Sequence, residues 1–125
     1  MVSALFYTGT KYEGVRFRKA LLETIPEIDA LAHLVIPTHP KRKPHDRMLH
    51  HFRFILPLLT ADEDELTPLH YYDSAIQLAR NSHREPTEKV FELGMEMADV
   101  IRNTLNETRL EMLQGSSTQL NESDE

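Results

Sequence analysis

The sequence predicts a mainly α-helical fold, a small bundle of four to five helices with a long carboxyl-terminal helix. Apolar residues recur at helical spacing over most of the 125-residue chain. Only four glycines are present, and the alternation of Val, Ile and Thr that is typical of strands is rare. This length suits one domain with a single modest core. We therefore expect one helical domain over residues 1–113 and a disordered acidic tail over residues 114–125.

The amino-terminal part predicts two consecutive helices. Residues 15–24 combine apolar and basic side chains in a helical arrangement, and Pro26 suits the first turn of a second helix. Pro37 ends that helix, because a residue before proline is pushed out of helical backbone. Residues 3–8 and 31–36 also fit short buried strands, so a small α+β domain is the fallback prediction.

The middle of the chain predicts a loop followed by an amphipathic helix. Residues 38–44 (THPKRKP) contain two prolines, which indicates a loop. Apolar residues between Met48 and Leu59 then recur with helical period, and Pro57 is expected to kink or end the helix. The acid-rich stretch 60–65 (TADEDE) indicates either a linker or an acid-rich helix start.

Two further helices complete the prediction. Thr67-Pro68 combines a favoured N-cap with a favoured first helical residue, and one apolar face runs from there to Arg80. Ser82 and Glu85 stand at capping-box spacing, so we expect a last helix to begin there. Its apolar stripe continues to about Met112.

The composition excludes several classes of protein. Without cysteine there is no disulfide, no thiolate metal site and no thiol nucleophile. The first residues lack the features of a secretory signal, and no apolar run reaches the roughly 18 residues that a membrane span needs. We expect a cytoplasmic protein with no membrane contact and no cofactor.

Charge is divided unequally between the two halves of this chain of net charge −6. Residues 1–54 hold nine Lys or Arg and five acidic residues, giving +4, whereas residues 55–125 hold five and fifteen, giving −10. Such an asymmetry indicates a basic face and an acidic face. A chance distribution of surface charge is the alternative.

The basic residues concentrate in the stretch HPKRKPHDRMLHHFR, residues 39–53. Flexible cations on a loop and at a helix start suit phosphate oxygens, which predicts contact with a nucleic-acid backbone. A second group of cations precedes it in the chain. The predicted binding residues are Lys41, Arg42, Lys43, Arg47 and Arg53, with Arg16, Arg18 and Lys19 as the second group. A solvated turn is the simpler interpretation of the same residues.

His45 and Asp46 offer a metal site as an alternative. The consecutive His-Asp pair resembles metal-dependent phosphohydrolases of the HD class, and the resemblance implies a divalent metal there, with His33 and Asp73 as further candidates. Asp46 also fits a first-turn acid favoured by the helix dipole. No two histidines stand four residues apart, the spacing that would place both on one helix face. We therefore predict no metal site.

These observations favour a non-enzymatic helical subunit of a larger nucleoprotein assembly. Its basic loop and helix would contact nucleic acid, and its other helices would contact neighbouring protein subunits. Small helical subunits of CRISPR interference complexes are similar in length and helix content. A phosphohydrolase that uses His45 and Asp46 is one alternative, and an interaction module for an acidic protein partner is the other.

Overall fold

The computed structural model describes the backbone of residues 16–123 and the side chains of residues 16–115. Over this range it contains four α-helices, one short 3-10 helix and no strand. The elements are α1 (Phe17–Val35), α2 (Met48–His51), the 3-10 helix (Arg53–Leu58), α3 (Pro68–Asn81) and α4 (Glu88–Ser123). The predicted small helical bundle with a long last helix is confirmed.

Helix α1 is one continuous helix, so the prediction that Pro26 starts a second helix is wrong. Pro26 is exposed on the solvent side, where its missing N–H disturbs no packing. The buried face of the helix continues across the proline, with Leu21 and Ile25 before it and Ile28 after it. Residues 31–35 belong to the same helix, which excludes the strand proposed for residues 31–36. The other proposed strand, residues 3–8, lies outside the described residues.

The predicted helix over Met48–Leu59 is divided into two short elements. Backbone angles at Phe52 (φ −101°, ψ 20°) end α2, and the 3-10 helix that follows contains Pro57. Because a 3-10 helix turns more tightly, this arrangement directs both Phe52 and Ile55 into the core, where each is fully buried.

Helix α3 begins as predicted, with Thr67 as N-cap and Pro68 in the first turn. The backbone N–H of Thr67 donates to Nδ1 of His70 at 3.0 Å, so a histidine takes the role that Glu or Gln has in a capping box. The predicted face of α3 is buried along the whole helix. Its members are Leu69, Tyr72, Ala75, Ile76 and Ala79.

Arg18 joins the start of α1 to the end of α3. Its guanidinium donates to the carbonyl oxygens of Ala79 (2.7 Å), Ser82 (2.8 Å) and Arg84. Its backbone N–H donates to Oε1 of Glu85 at 2.9 Å. The predicted capping box of Ser82 and Glu85 is therefore wrong, since Glu85 caps α1 instead of α4.

Helix α4 begins at Glu88 and is longer than expected. Thr87 precedes it, and its hydroxyl accepts a hydrogen bond from the N–H of Val90 at 3.2 Å. The helical backbone continues to Ser123, where the sequence predicts a disordered tail from residue 114. No proline follows Pro86, and the space around Gly115 is open, so no residue there excludes helical backbone. At 36 residues the helix is roughly 54 Å long.

The core lies where α1, α3 and α4 pack against one another, and Gly94 allows their close approach. A Cβ atom at Gly94 would overlap Cδ2 of Leu21 and lie 3.0 Å from Cβ of Ala75. Glycine is therefore required where the three helices meet, although it is unfavourable for the helix itself. The buried residues of α4 continue on the same side through Ala98 to Leu105.

One polar pair crosses this core. The hydroxyl groups of Thr24 and Tyr72 lie 2.6 Å apart, and both residues are buried. The Thr24 hydroxyl also lies 2.6 Å from the Leu21 carbonyl, to which it donates. Burial raises the pKa of Tyr72 to about 12, so the phenol stays neutral.

None of the helices in the described part of the chain is long and apolar enough to cross a membrane.

We predict that Gly94→Ala destabilises the protein whereas Gly115→Ala does not. A methyl group at residue 94 gains helix propensity but displaces the fully buried Leu21 side chain, and such overpacking costs about 1–3 kcal/mol. We expect the free energy of unfolding to fall by about 1 kcal/mol, measured by urea denaturation. Gly115→Ala adds the same methyl group to the same helix in open space, and should leave the midpoint unchanged or slightly raised. Equal midpoints for the two variants would contradict the close approach at Gly94.

Candidate nucleic-acid interface

The loop of residues 36–47 joins α1 to α2 and contains a compact turn. The N–H of Lys43 donates to Oδ2 of Asp46 at 2.9 Å, and the N–H of Asp46 donates to the Lys43 carbonyl at 3.2 Å. His45 stands between them with a φ of 73°. Asp46 thus closes a turn before the helix, and its interpretation as a first-turn acid of the helix is wrong. Arg80 of α3 donates to the Asp46 carbonyl at 2.6 Å and holds the turn against the bundle.

A buried carboxylate holds the start of α2. Asp73 of α3 is only 2% exposed, and it accepts hydrogen bonds from Nε and Nη2 of Arg47 and from the N–H of Leu49 (3.1 Å). Burial raises the pKa of Asp73, but the hydrogen bonds from Arg47 and Leu49 and the positive charge of Arg47 lower it further, so it lies below its ordinary value. Asp73 therefore remains ionised and fixes Arg47 at the surface, where 56% of the side chain is exposed.

Two neighbouring cavities lie on this side of the molecule, and His50 lines both. The first has a volume of about 260 Å³, and the exposed Lys41 and Lys43 line it together with His39, Pro40, Asp46 and His51. The second has a volume of about 390 Å³ and is lined by Arg47, Arg53, Leu49, Leu56 and His70. Four of the predicted cations thus border one continuous region, which we call the cationic surface: Lys41, Lys43, Arg47 and Arg53.

Three of these cations lack an acidic partner in the part of the chain whose side chains the structure describes. Arg47 is paired with Asp73, but Lys41, Lys43 and Arg53 form no salt bridge within residues 16–115. Arg42 follows Lys41 on the same loop and is half-buried. Unpaired like charges repel one another, so this surface is suited to an anionic ligand.

The second predicted group of cations is not part of this surface. The guanidinium of Arg18 is occupied by carbonyl oxygens, as described above. Lys19 pairs with Glu23 at 3.9 Å on the exposed side of α1. Arg16 precedes α1 and is exposed, but the helix rise places it roughly 20 Å from Asp29, the residue of α1 that reaches α2.

A cluster of histidine and aspartate lies beneath the loop. Nε2 of His51 is 2.7 Å from Oδ1 of Asp29, and the ring centroids of His39 and His51 are 4.5 Å apart. One ligand-type atom from each of these three residues lies within 4.8 Å of the others. The sequence did not predict this group, because its members come from α1, the loop and α2. The high density of histidine in residues 39–53 was the only local signal.

His33 supports the cluster from α1. Its Nδ1 lies 2.7 Å from the carbonyl oxygen of Asp29, and its Nε2 lies 2.8 Å from that of His39. Carbonyl oxygens only accept, so the doubly protonated form of the His33 ring is the one that satisfies both contacts. The hydrogen bond to the Asp29 carbonyl accordingly raises the pKa of His33. Burial, together with the charges of His51 and His33, lowers the pKa of His39.

The proposed phosphohydrolase residues do not come together. His45 is exposed, Asp46 accepts from the Lys43 N–H, and Asp73 is occupied by Arg47 and Leu49. Among the described residues, the group with the spacing of metal ligands is Asp29, His39 and His51. The metal alternative at His45 and Asp46 thus has no geometric support.

We predict that Asp73→Asn lowers the free energy of unfolding by about 2 kcal/mol at neutral pH, because the buried carboxylate loses its charge-assisted hydrogen bonds. The difference in the free energy of unfolding between wild type and Asp73→Asn should disappear at acid pH. A carboxyl with a lowered pKa contributes stability that is present above its ordinary value of 3.8 and is lost as the pH falls through its value in the folded state. Urea denaturation between neutral pH and about pH 2 measures this.

The exposed Asp64→Asn is the matched control for this change and should alter stability by less than about 0.5 kcal/mol. A difference between wild type and Asp73→Asn that stayed constant down to acid pH would contradict a stabilising ionised Asp73.

We predict that Arg18→Ala destabilises the fold by about 2 kcal/mol, because three carbonyl groups at the end of α3 lose their charged donor. Nucleic-acid affinity should not change. Arg16→Ala removes the same charge two residues away, and thermal denaturation should show a smaller effect for it. Equal melting temperatures for the two variants would contradict the structural role of Arg18.

The chain matches no protein-family model, no curated protein sequence and no solved structure. The properties that bear on function are therefore those of the molecule itself. They are an exposed cationic surface held in place by a buried aspartate, and a histidine–aspartate cluster beneath it.

Proposed function

We propose that the protein is a non-enzymatic subunit of a nucleoprotein assembly and binds the phosphate backbone of nucleic acid through its cationic surface. The observation that carries this proposal is the grouping of Lys41, Lys43 and Arg53 around two cavities that share His50. The three cations are exposed and have no acidic partner among residues 16–115. Phosphate oxygens would neutralise these cations and remove their mutual repulsion.

The way in which the cations are held supports backbone contact. Arg47 is fixed by Asp73, which positions its guanidinium, whereas Lys41 and Lys43 are on a loop braced at Asp46. Fixed and flexible cations together accommodate the irregular spacing of phosphates along a strand. His50 is exposed between the cavities, where its ring can stack on a base or donate to a phosphate.

The acidic residues elsewhere in the chain favour binding of a polyanion at the cationic surface and not at other parts of the molecule. The second half of the chain carries the excess of acidic residues, so a polyanion is repelled from those parts of the molecule and attracted to the cationic surface. An acidic protein with one basic surface suits a subunit whose neighbours complete the binding groove.

The distal part of α4 supports contact with other protein subunits. Leu110, Met112 and Leu113 lie beyond Leu105, the last buried residue of the helix among the side chains described, and each is about half exposed. Such apolar side chains on a projecting helix are favourable for burial against a neighbouring chain.

We predict that Lys41→Ala/Lys43→Ala raises the Kd for a fluorescein-labelled single-stranded oligonucleotide by at least tenfold, measured by anisotropy with RNA and with DNA. Two lost phosphate contacts should also reduce the slope of log Kd against log salt concentration by between one and two. Arg84→Ala/Lys89→Ala removes two exposed cations outside the cationic surface and is the matched control.

The two double variants carry the same net charge, so their difference reports position and not total charge. An equal Kd for both would exclude the cationic surface as the binding site. Competition by poly-glutamate at the same charge concentration distinguishes an acidic protein partner, and displacement of the oligonucleotide with equal efficiency would favour that partner over nucleic acid.

A further inference from the structure

We propose that Asp29, His39 and His51 form a binding site for one divalent transition-metal ion, with Zn²⁺ as the metal that fits the donors. Two imidazoles and one carboxylate favour Zn²⁺ and its neighbours in the first transition row over Mg²⁺ and Ca²⁺, which prefer oxygen ligands. This inference does not depend on the proposed function, because it concerns side chains beneath the cationic surface.

The distances are close to those of a metal centre. Zinc lies about 2.0–2.2 Å from nitrogen and oxygen ligands, so two ligands of one ion are roughly 3.4 Å apart in tetrahedral geometry. The three donor atoms already lie within 4.8 Å of one another. A closure of about 1.4 Å or less would therefore bring the donor atom of His39 and those of its partners to the separation of two ligands of one ion.

A buried nitrogen supplies an independent observation. Nε2 of His39 is a buried side-chain atom without a hydrogen-bond partner among the described residues. A buried polar atom without a partner is unfavourable, and such atoms in native proteins often mark an ion or water.

His33 holds two of the proposed ligands, Asp29 and His39, in position. Its ring bridges the carbonyl oxygens of Asp29 and His39 and so fixes the relative position of α1 and the loop. Residues that orient metal ligands in this way are a regular part of metal sites. The metal would then join three elements, α1, the loop and α2, around the base of the cationic surface.

The site would also have room for an exogenous ligand. His39 and His51 line the cavity of about 260 Å³ that Lys41 and Lys43 border. Three protein ligands with an open position facing solvent are typical of metal sites that bind water or an anion. The two lysines make an anionic oxygen ligand, such as a phosphate oxygen, the favoured occupant of that position.

Titration of metal-free protein with Zn²⁺ alone, by isothermal calorimetry, tests the proposal. Wild type should bind one equivalent of Zn²⁺, and His39→Ala should weaken that binding at least tenfold. His45→Ala is the matched control, because it removes an exposed histidine from the same loop, and it should bind as wild type does. The assay contains no nucleic acid, so its outcome is separate from that of the oligonucleotide experiment.

Asp29→Asn keeps the size of the side chain and one acceptor oxygen but removes the charge. It should also weaken Zn²⁺ binding at least tenfold, while the circular dichroism spectrum stays unchanged. A wild type without one-to-one Zn²⁺ binding would overturn the proposal. So would Zn²⁺ affinities of His39→Ala and Asp29→Asn equal to that of His45→Ala. In that case the three side chains form only a packed polar cluster, with one hydrogen bond between His51 and Asp29.

Discussion

The buried carboxylate of Asp73 is the constraint on which the functional side of the molecule depends. A short element such as α2, four residues long, has too few internal hydrogen bonds to hold its own position. Asp73 accepts the N–H of Leu49 and so acts as a cap supplied by another helix. The same carboxylate fixes Arg47. The position of α2 therefore follows from α3, and the loop before α2 has both ends attached to the bundle.

Most of the fold is predictable from the sequence because its signal is local. The faces of α3 and α4 follow from apolar spacing, and Thr67-Pro68 marks a helix start without further information. The predictions from sequence are wrong where the local structure depends on contacts with residues far away in the chain. Pro26 remains within α1 because the buried face continues on both sides of it, and Glu85 does not cap α4 because it binds the N–H of Arg18, 67 residues away. No local pattern contains that information.

The candidate site likewise contains residues that the sequence predicts and residues that only the fold brings together. Lys41 and Lys43 were predictable as exposed cations, because the prolines that make their segment a loop are their neighbours in sequence. The partner of Arg47 was not predictable, nor was the contact of Arg18 with the carbonyl groups at the end of α3. Asp29, His39 and His51 belong to three different elements, and only the packing of α1 against the loop and α2 brings them together. Histidine density indicated the region but not the ligands.

The bonds of Arg18 also have a consequence for the folding kinetics. They connect residues more than 60 positions apart, and their three acceptors take position only when α3 has ended and the chain has turned toward α4. Contacts of such long sequence separation form late, because the intervening chain must be ordered first. Interactions that form after the transition state slow unfolding and have little effect on the folding rate. We therefore expect Arg18 to prolong the lifetime of the native state more than it accelerates its formation.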